Sequence, residues 1–160
     1  MTQKHGSHLA SRNVPDSDHL MRFVPYKEQL RDPDNDSFKG IVETAFSIRQ
    51  NDDGGLSLTW VEHYGPKNQQ TYQVAAARFR DSLVSRKLGG KSCFAIGQAG
   101  ETRKTCSEFG KRIRLVHAPN EPNAGHVELR RFSDDDRRLL DALAIDVFRE
   151  HVLTASLNLG

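Results

Sequence analysis

His117 and His126 stand at the two ends of the segment VHAPNEPNAGH, which Pro119 and Pro122 stiffen. If the runs that flank it are neighbouring strands, both imidazoles reach the same sheet edge. Two such rings can act as general acid and base, or hold a metal together with a carboxylate. Asn120, Asn123 and the main-chain amides of the loop would orient a ligand, and Arg22 or Arg114 would hold its anion. A metal would need a third ligand such as His63, Glu62 or Glu128. The spacing matches no metal signature, so no metal is expected. The plainer alternative is a hydrogen-bonded His117 at a strand end and a His126 that merely opens the next strand.

Three other patterns carry chemistry. GQAG places Gly97 and Gly100 between an apolar run and a helical one, where main-chain amides can approach a phosphate and Arg103 and Lys104 add charge. It is neither GxGxxG nor a P-loop, and a turn into a helix is the simpler reading. Basic clusters in RFRDSLVSRKLGGK, KRIRL and LRR, with Phe79 and Phe132 nearby, outline a nucleic-acid face. Acidic residues interrupt them, so nucleic acid is not expected. The last pattern is Arg22 on an early strand, Ser57 and Thr59 in LSLTW, and Glu128 on a late strand. This order resembles the layout of ADP-ribosyltransferases. The resemblance implies that Arg22 holds the dinucleotide phosphates, Ser57 shapes the nicotinamide pocket and Glu128 stabilises or activates the reacting ribose. Those families carry Gln or Glu two residues before the catalytic Glu, where this chain has His126.

The elements that must position these residues follow from periodicity. LMRFVPY, residues 20–26, reads as a strand closed by Pro25, and RDPDND, residues 31–36, as a turn-rich loop. Phe38, Ile41, Val42, Ala45 and Phe46 fall at helical spacing, although Gly40 weakens that helix and a strand over 43–48 is the alternative. NDDGG is a turn, and LSLTWVEHY alternates as a strand. Asn68 caps a helix through NQQTYQVAAARFRDSLVSRK, which LGGK stops. Tyr72, Ala75, Ala76, Phe79 and Leu83 form its buried stripe. SCFAI, AGETRKTCSEF and RIRLVHAP read as strand, helix and strand, joined as a parallel pair by a right-handed crossover. HVELRRF is a further strand. Ser133 caps a final helix with Asp134, Asp135 and Asp136 in its first turn, and Leu139, Leu140, Leu143, Ala144, Val147 and Phe148 make its apolar stripe.

The sum predicts a single α+β domain, with a four- to five-stranded mixed sheet and three to four helices packed on it. A disordered arm is expected over residues 1–18, the domain over 19–155 and a flexible tail over 156–160. With 23 basic against 21 acidic residues the net charge is +2, which gives no push toward nucleic acid or an anionic surface. No apolar run approaches the ~18 residues of a membrane span. The N-terminal residues lack the apolar middle of a signal peptide, so a cytoplasmic location is the default. Cys93 and Cys106 have no CxxC spacing and read as small buried apolar residues. No cofactor is expected.

The strand ending in a proline, the LS-x-x-W strand and the H-x-P…N-x-x-H loop occur here in that order. Over residues 19 to 150 the chain is similar to a group of short bacterial proteins that share this look. The resemblance implies a free-standing bacterial domain and supplies no activity. The leading expectation is therefore an accessory or protein-interaction domain of a multi-gene system, with a protein partner. The alternative is an enzyme or binding domain for a phosphate-bearing, nucleotide-like ligand at the His117/His126 loop; ADP-ribosyltransferase-like chemistry and nucleic-acid binding rank behind it.

Overall fold

The computed structural model describes residues 12–49, 52 and 55–159. Strands β1 (His19–Val24), β4 (Leu56–Trp60), β5 (Cys93–Gln98), β6 (Arg114–His117), β7 (His126–Arg130) and β8 (Glu150–Leu153) form one six-stranded sheet in the order β6-β7-β4-β1-β5-β8. Strands β2 (Gln29–Arg31) and β3 (Phe38–Ile41) make a separate two-stranded ribbon. Three α-helices complete the described residues: α1 (Gln69–Ser82), α2 (Ala99–Glu108) and α3 (Arg137–Ala142). The α+β class is as expected, but the sheet is larger than four or five strands.

Nor is the sheet mixed: every neighbouring pair in it is antiparallel. The expected parallel crossover between the strands at 93 and 114 does not form. Both edges of β5 are taken, by β1 and β8, and β6 pairs instead with β7 across the 118–125 loop. Two misread segments account for β3 and β8, and β2 is a short partner that β3 pairs with. The 38–46 stretch is strand β3 followed by a 3-10 turn, Glu43–Phe46, because Gly40 sits at a φ of 155°, which no helix contains. The last helix gives way after Ala142 to a π turn, Leu143–Val147, and the chain then extends as β8. The helix cap is Asp136, which accepts from the Arg138 amide at 3.1 Å. Ser133 does not cap the helix; its hydroxyl donates to Asp135 at 2.5 Å, and Asp134 accepts from the Ile48 amide at 2.9 Å.

Strand alternation sorts the core onto two faces. On the first, Leu20, Leu58, Ala95 and Val127 pack against Leu139 of the C-terminal helix and Leu143 and Phe148 of the π turn and its cap. On the second, Met21, Phe94, Ile96 and Val152 pack against Tyr72, Ala75 and Ala76 of α1. Asn68 caps α1 as predicted, accepting from the Thr71 amide at 2.9 Å. The helix ends at Ser82, short of LGGK: the Ser82 hydroxyl takes the Phe79 carbonyl at 2.6 Å and Leu83 turns extended. The apolar side of α1 packs on residues of β1, β5 and β8. The second-face residues of β4 and β7 are polar: Ser57, Thr59, His126 and Glu128.

Residues 1–11 of the expected arm lie outside the described residues. Residues 12–18 belong to the packed body, because Val14 is fully buried in the first core. At the other end Leu157, which the sequence assigns to the tail, is buried in the second. Cys93 and Cys106 are free and buried, and burial pushes their thiols up to about 12 and about 11. No helix among the described residues is long and apolar enough to cross a membrane.

Candidate functional site

The sheet is split between β1 and β4. Only Leu20↔Trp60 and Met21↔Thr59 pair across that boundary, whereas β1 pairs with β5 along six positions. Arg22 fills the gap. Its side chain is 1% exposed and its guanidinium spends every N–H on the protein. Nε donates to the Ala45 carbonyl at 2.8 Å, Nη1 to Ser57 O at 2.9 Å and Asp52 Oδ1 at 3.2 Å, and Nη2 to Ser47 O at 3.0 Å and Asp52 Oδ2 at 3.4 Å. Asp52 also accepts from the amides of Ser57 at 3.0 Å and Arg49 at 2.7 Å. Burial, then the nearby Arg49 charge, lowers Arg22 to about 10 against the opposing pull of Asp52. Arg22 is therefore a clamp on the split and has no donor left for a phosphate, contrary to the role expected of it.

A cavity of about 790 Å³ opens at this split. That volume suits a nucleotide-sized ligand. Arg22, Arg49 and Asp52 line one end; Ser57, His126 and Glu128 line the β4–β7 side; Phe23, Phe79 and Leu83 contribute apolar wall. Phe23 and Phe79 lie 5.3 Å apart with a 32° tilt between their rings. Arg49 is held by Glu28 through Nε and Nη2, and its Nη1 has no hydrogen bond among the described residues.

Ser57 stands opposite Glu128 in the β4–β7 register, and His126 opposite Thr59. Ser57 Oγ lies 3.0 Å from His126 Nε2, and His126 Nδ1 lies 3.0 Å from the Ala118 carbonyl. Glu128 Oε1 accepts from Arg130 at 2.8 Å and 2.7 Å, while Oε2 has no hydrogen bond among the described residues. Ser57, His126 and Glu128 thus line the same cavity.

His117 does not join them. It pairs in register with Val127, whose side chain lies in the first core, so alternation sends His117 and His126 to opposite faces. His117 Nε2 donates to the Ala124 carbonyl at 2.7 Å and Nδ1 accepts from the Arg12 amide at 3.1 Å. Its ring meets Trp60 edge-on at 5.2 Å, and Arg12 reaches on to His63 at 2.6 Å. The acid–base pair, which required both rings at one place, is not formed, and His117 is the hydrogen-bonded strand-end residue of the plainer alternative. Asn123 is fully buried and holds the loop, accepting from the Tyr64 hydroxyl at 2.5 Å and donating to Thr59 at 3.1 Å. Arg114 is exposed on the edge strand and does not line the cavity.

The GQAG anion site is already filled. Carbonyls of Asp18 and Asp16 accept from the Ala99 and Gly100 amides at 2.8 Å and 2.9 Å, and Arg103 is paired with Asp16. Gly97 lies in β5 against the Phe148 ring, so its missing side chain serves packing. Arg49 and Asp52 were missed by the sequence reading, which saw only a turn in NDDGG. The signal was Arg22 itself: a cation on a strand that enters the core needs a carboxylate. Among the described residues no group of three or more His, Cys, Asp or Glu could hold a metal.

Burial lowers His63, with Arg12 and His117 adding to it; burial is also the main cause of the lowered His117 and His151. Each ring binds a proton more readily in the unfolded chain than in the fold. Their stabilisation is complete above the ordinary value of 6.5 and is lost as pH falls through it. The denaturant midpoint should therefore drop between about pH 7.5 and about pH 5.5, and His117→Gln should shrink that drop; a midpoint that ignores pH here would contradict the burial argument.

Comparison with family models, with curated proteins and with solved structures finds no match for this chain.

Proposed function

We propose that the cavity binds a pyridine dinucleotide and that the protein breaks or transfers at its nicotinamide–ribose bond, in the manner of ADP-ribosyltransferases. The observation that carries this is the meeting of Ser57 and Glu128, paired across adjacent strands, with Arg49 around one cavity of about 790 Å³. The departure from the family pattern is the arginine, which braces the split. Arg49 is the residue of this cavity with a guanidinium nitrogen left for the phosphates.

The chemistry asks little covalent work of the protein. The bond from ribose C1′ to the pyridinium nitrogen breaks, its electron pair leaves with nicotinamide, and positive charge develops on the ribose. Glu128 would stabilise that charge and accept from a ribose hydroxyl at Oε2, while Arg130 holds Oε1. Water or an acceptor nucleophile then adds to C1′ and loses its proton. Phe23 and Phe79 offer a flat apolar wall for an aromatic ring.

The test is nicotinamide release from NAD, followed by chromatography, beside binding by calorimetry. Wild type is expected to release nicotinamide. Glu128→Gln should cut the rate by at least about 100-fold with binding retained, the scale expected when one electrostatic stabiliser is lost. No binding at millimolar NAD together with no release would sink the proposal and return attention to a protein partner.

A further inference from the structure

We infer that His126 fixes the hydrogen-bond polarity of the cavity floor, so that Ser57 offers an acceptor and selects a ligand group that donates. The Ala118 carbonyl can only accept. It lies 3.0 Å from His126 Nδ1, so that nitrogen carries the hydrogen. In the neutral ring Nε2 is then a lone pair. Ser57 Oγ lies 3.0 Å away and must donate to it. With its hydrogen committed, the hydroxyl presents only lone pairs to a ligand. Across the β4–β7 pairing stands Glu128, whose ionised carboxylate would also accept.

The arrangement is held by the backbone. Ala118 donates its amide to the His126 carbonyl at 2.9 Å, and the His126 amide donates to Asn123 O at 3.1 Å. The ring nitrogen and the carbonyl that orients it are thus pinned by the same hairpin. A group that donates, such as a carboxamide or a hydroxyl, is satisfied by this floor. An ester or carboxylate there would face an oxygen with nothing to give, and a buried acceptor left without a donor costs binding. The phosphates of a dinucleotide belong at the Arg49 end. The selectivity deepens the dinucleotide reading and rests on it for the choice of probes; the tautomer does not.

Two measurements test it. Nitrogen-15 NMR of the histidine rings at neutral pH reads the tautomer without any ligand. The result expected is His126 protonated at Nδ1 and bare at Nε2; a ring protonated at Nε2, alone or with Nδ1, overturns the inference. Ligand-observed NMR then compares nicotinamide with methyl nicotinate, two neutral molecules that differ in the donor. Nicotinamide should be favoured by about tenfold or more. His126→Phe, which frees the Ser57 hydrogen, should erase that preference, as should Ser57→Ala. Equal binding of the two probes to wild type overturns the inference. If neither probe binds, the floor polarity is kept or discarded on the tautomer alone, and the dinucleotide reading on the NAD binding and release measurement.

Discussion

Arg22→Ala is expected to destabilise the fold by about 3–5 kcal/mol, the cost of breaking a buried ion pair by removing one partner. For a domain whose total stability is about 5–15 kcal/mol, that approaches unfolding. The loss comes from what the guanidinium leaves behind. Asp52, 2% exposed, would keep a carboxylate with no cation, the carbonyls of Ser47 and Ser57 would lose the Arg22 donor at the split, and Ala45 O would keep only Arg49 at 3.3 Å. Arg22→Met combined with Asp52→Asn should cost less than the sum of the single changes, because the uncompensated charge is gone. Denaturant midpoints of the four proteins decide it. A single-substitution loss under about 1 kcal/mol would mean that the pair is far more solvated than its burial indicates.

Gly97→Val should also be severe, for a steric reason. A Cβ at Gly97 would lie 2.7 Å from Phe148 Cγ and 2.8 Å from both Cδ atoms. Phe148 is 1% exposed and packs against Phe46 at 4.8 Å with a 48° tilt, so the ring has nowhere to retreat. Overpacking of this kind costs about 1–3 kcal/mol, with Gly97→Ala the milder member of the pair. At this chain length each kcal/mol lowers the melting temperature by about 2–4 °C, so a thermal scan reads it directly. An unchanged melting temperature in the valine variant would show that the π turn just before Phe148 yields, and that the C-terminal half of this core is soft.

Local patterns were legible in the sequence wherever one face decides the outcome. LSLTW alternates, and its Leu56 and Leu58 do face the core while Ser57 faces the cavity. The stripe from Leu139 to Phe148 is buried as its spacing says, though the helix that carries it loosens into a π turn. Strand order was not legible, since an apolar strand such as β5 is compatible with either parallel or antiparallel neighbours. Half of the site was readable from residue type, in Ser57 and Glu128. The other half depends on a partner chosen by burial: Asp52 looks like any turn residue until Arg22 is seen to enter the core. Whether His117 and His126 converge was not legible, because a hairpin returns its two ends to one edge but, with the register observed, to opposite faces; the plainer reading of His117 as a hydrogen-bonded residue at a strand end fits what is seen.

The strand order has a consequence for how the chain comes into being. The two central strands, β1 and β4, are made early, but their outer partners β5 and β7 follow tens of residues later. Pairing between such distant segments delays folding, because loop closure must precede any reward. Until β7 emerges, LSLTW has an open edge rich in β-forming residues, the kind of edge that recruits other chains. Ser57 likewise waits without His126 and Glu128, so a nascent chain that stops before residue 126 has neither the floor of the cavity nor the cover for β4. Full-length synthesis and solubility are thus tied to the same strand that completes the cavity wall.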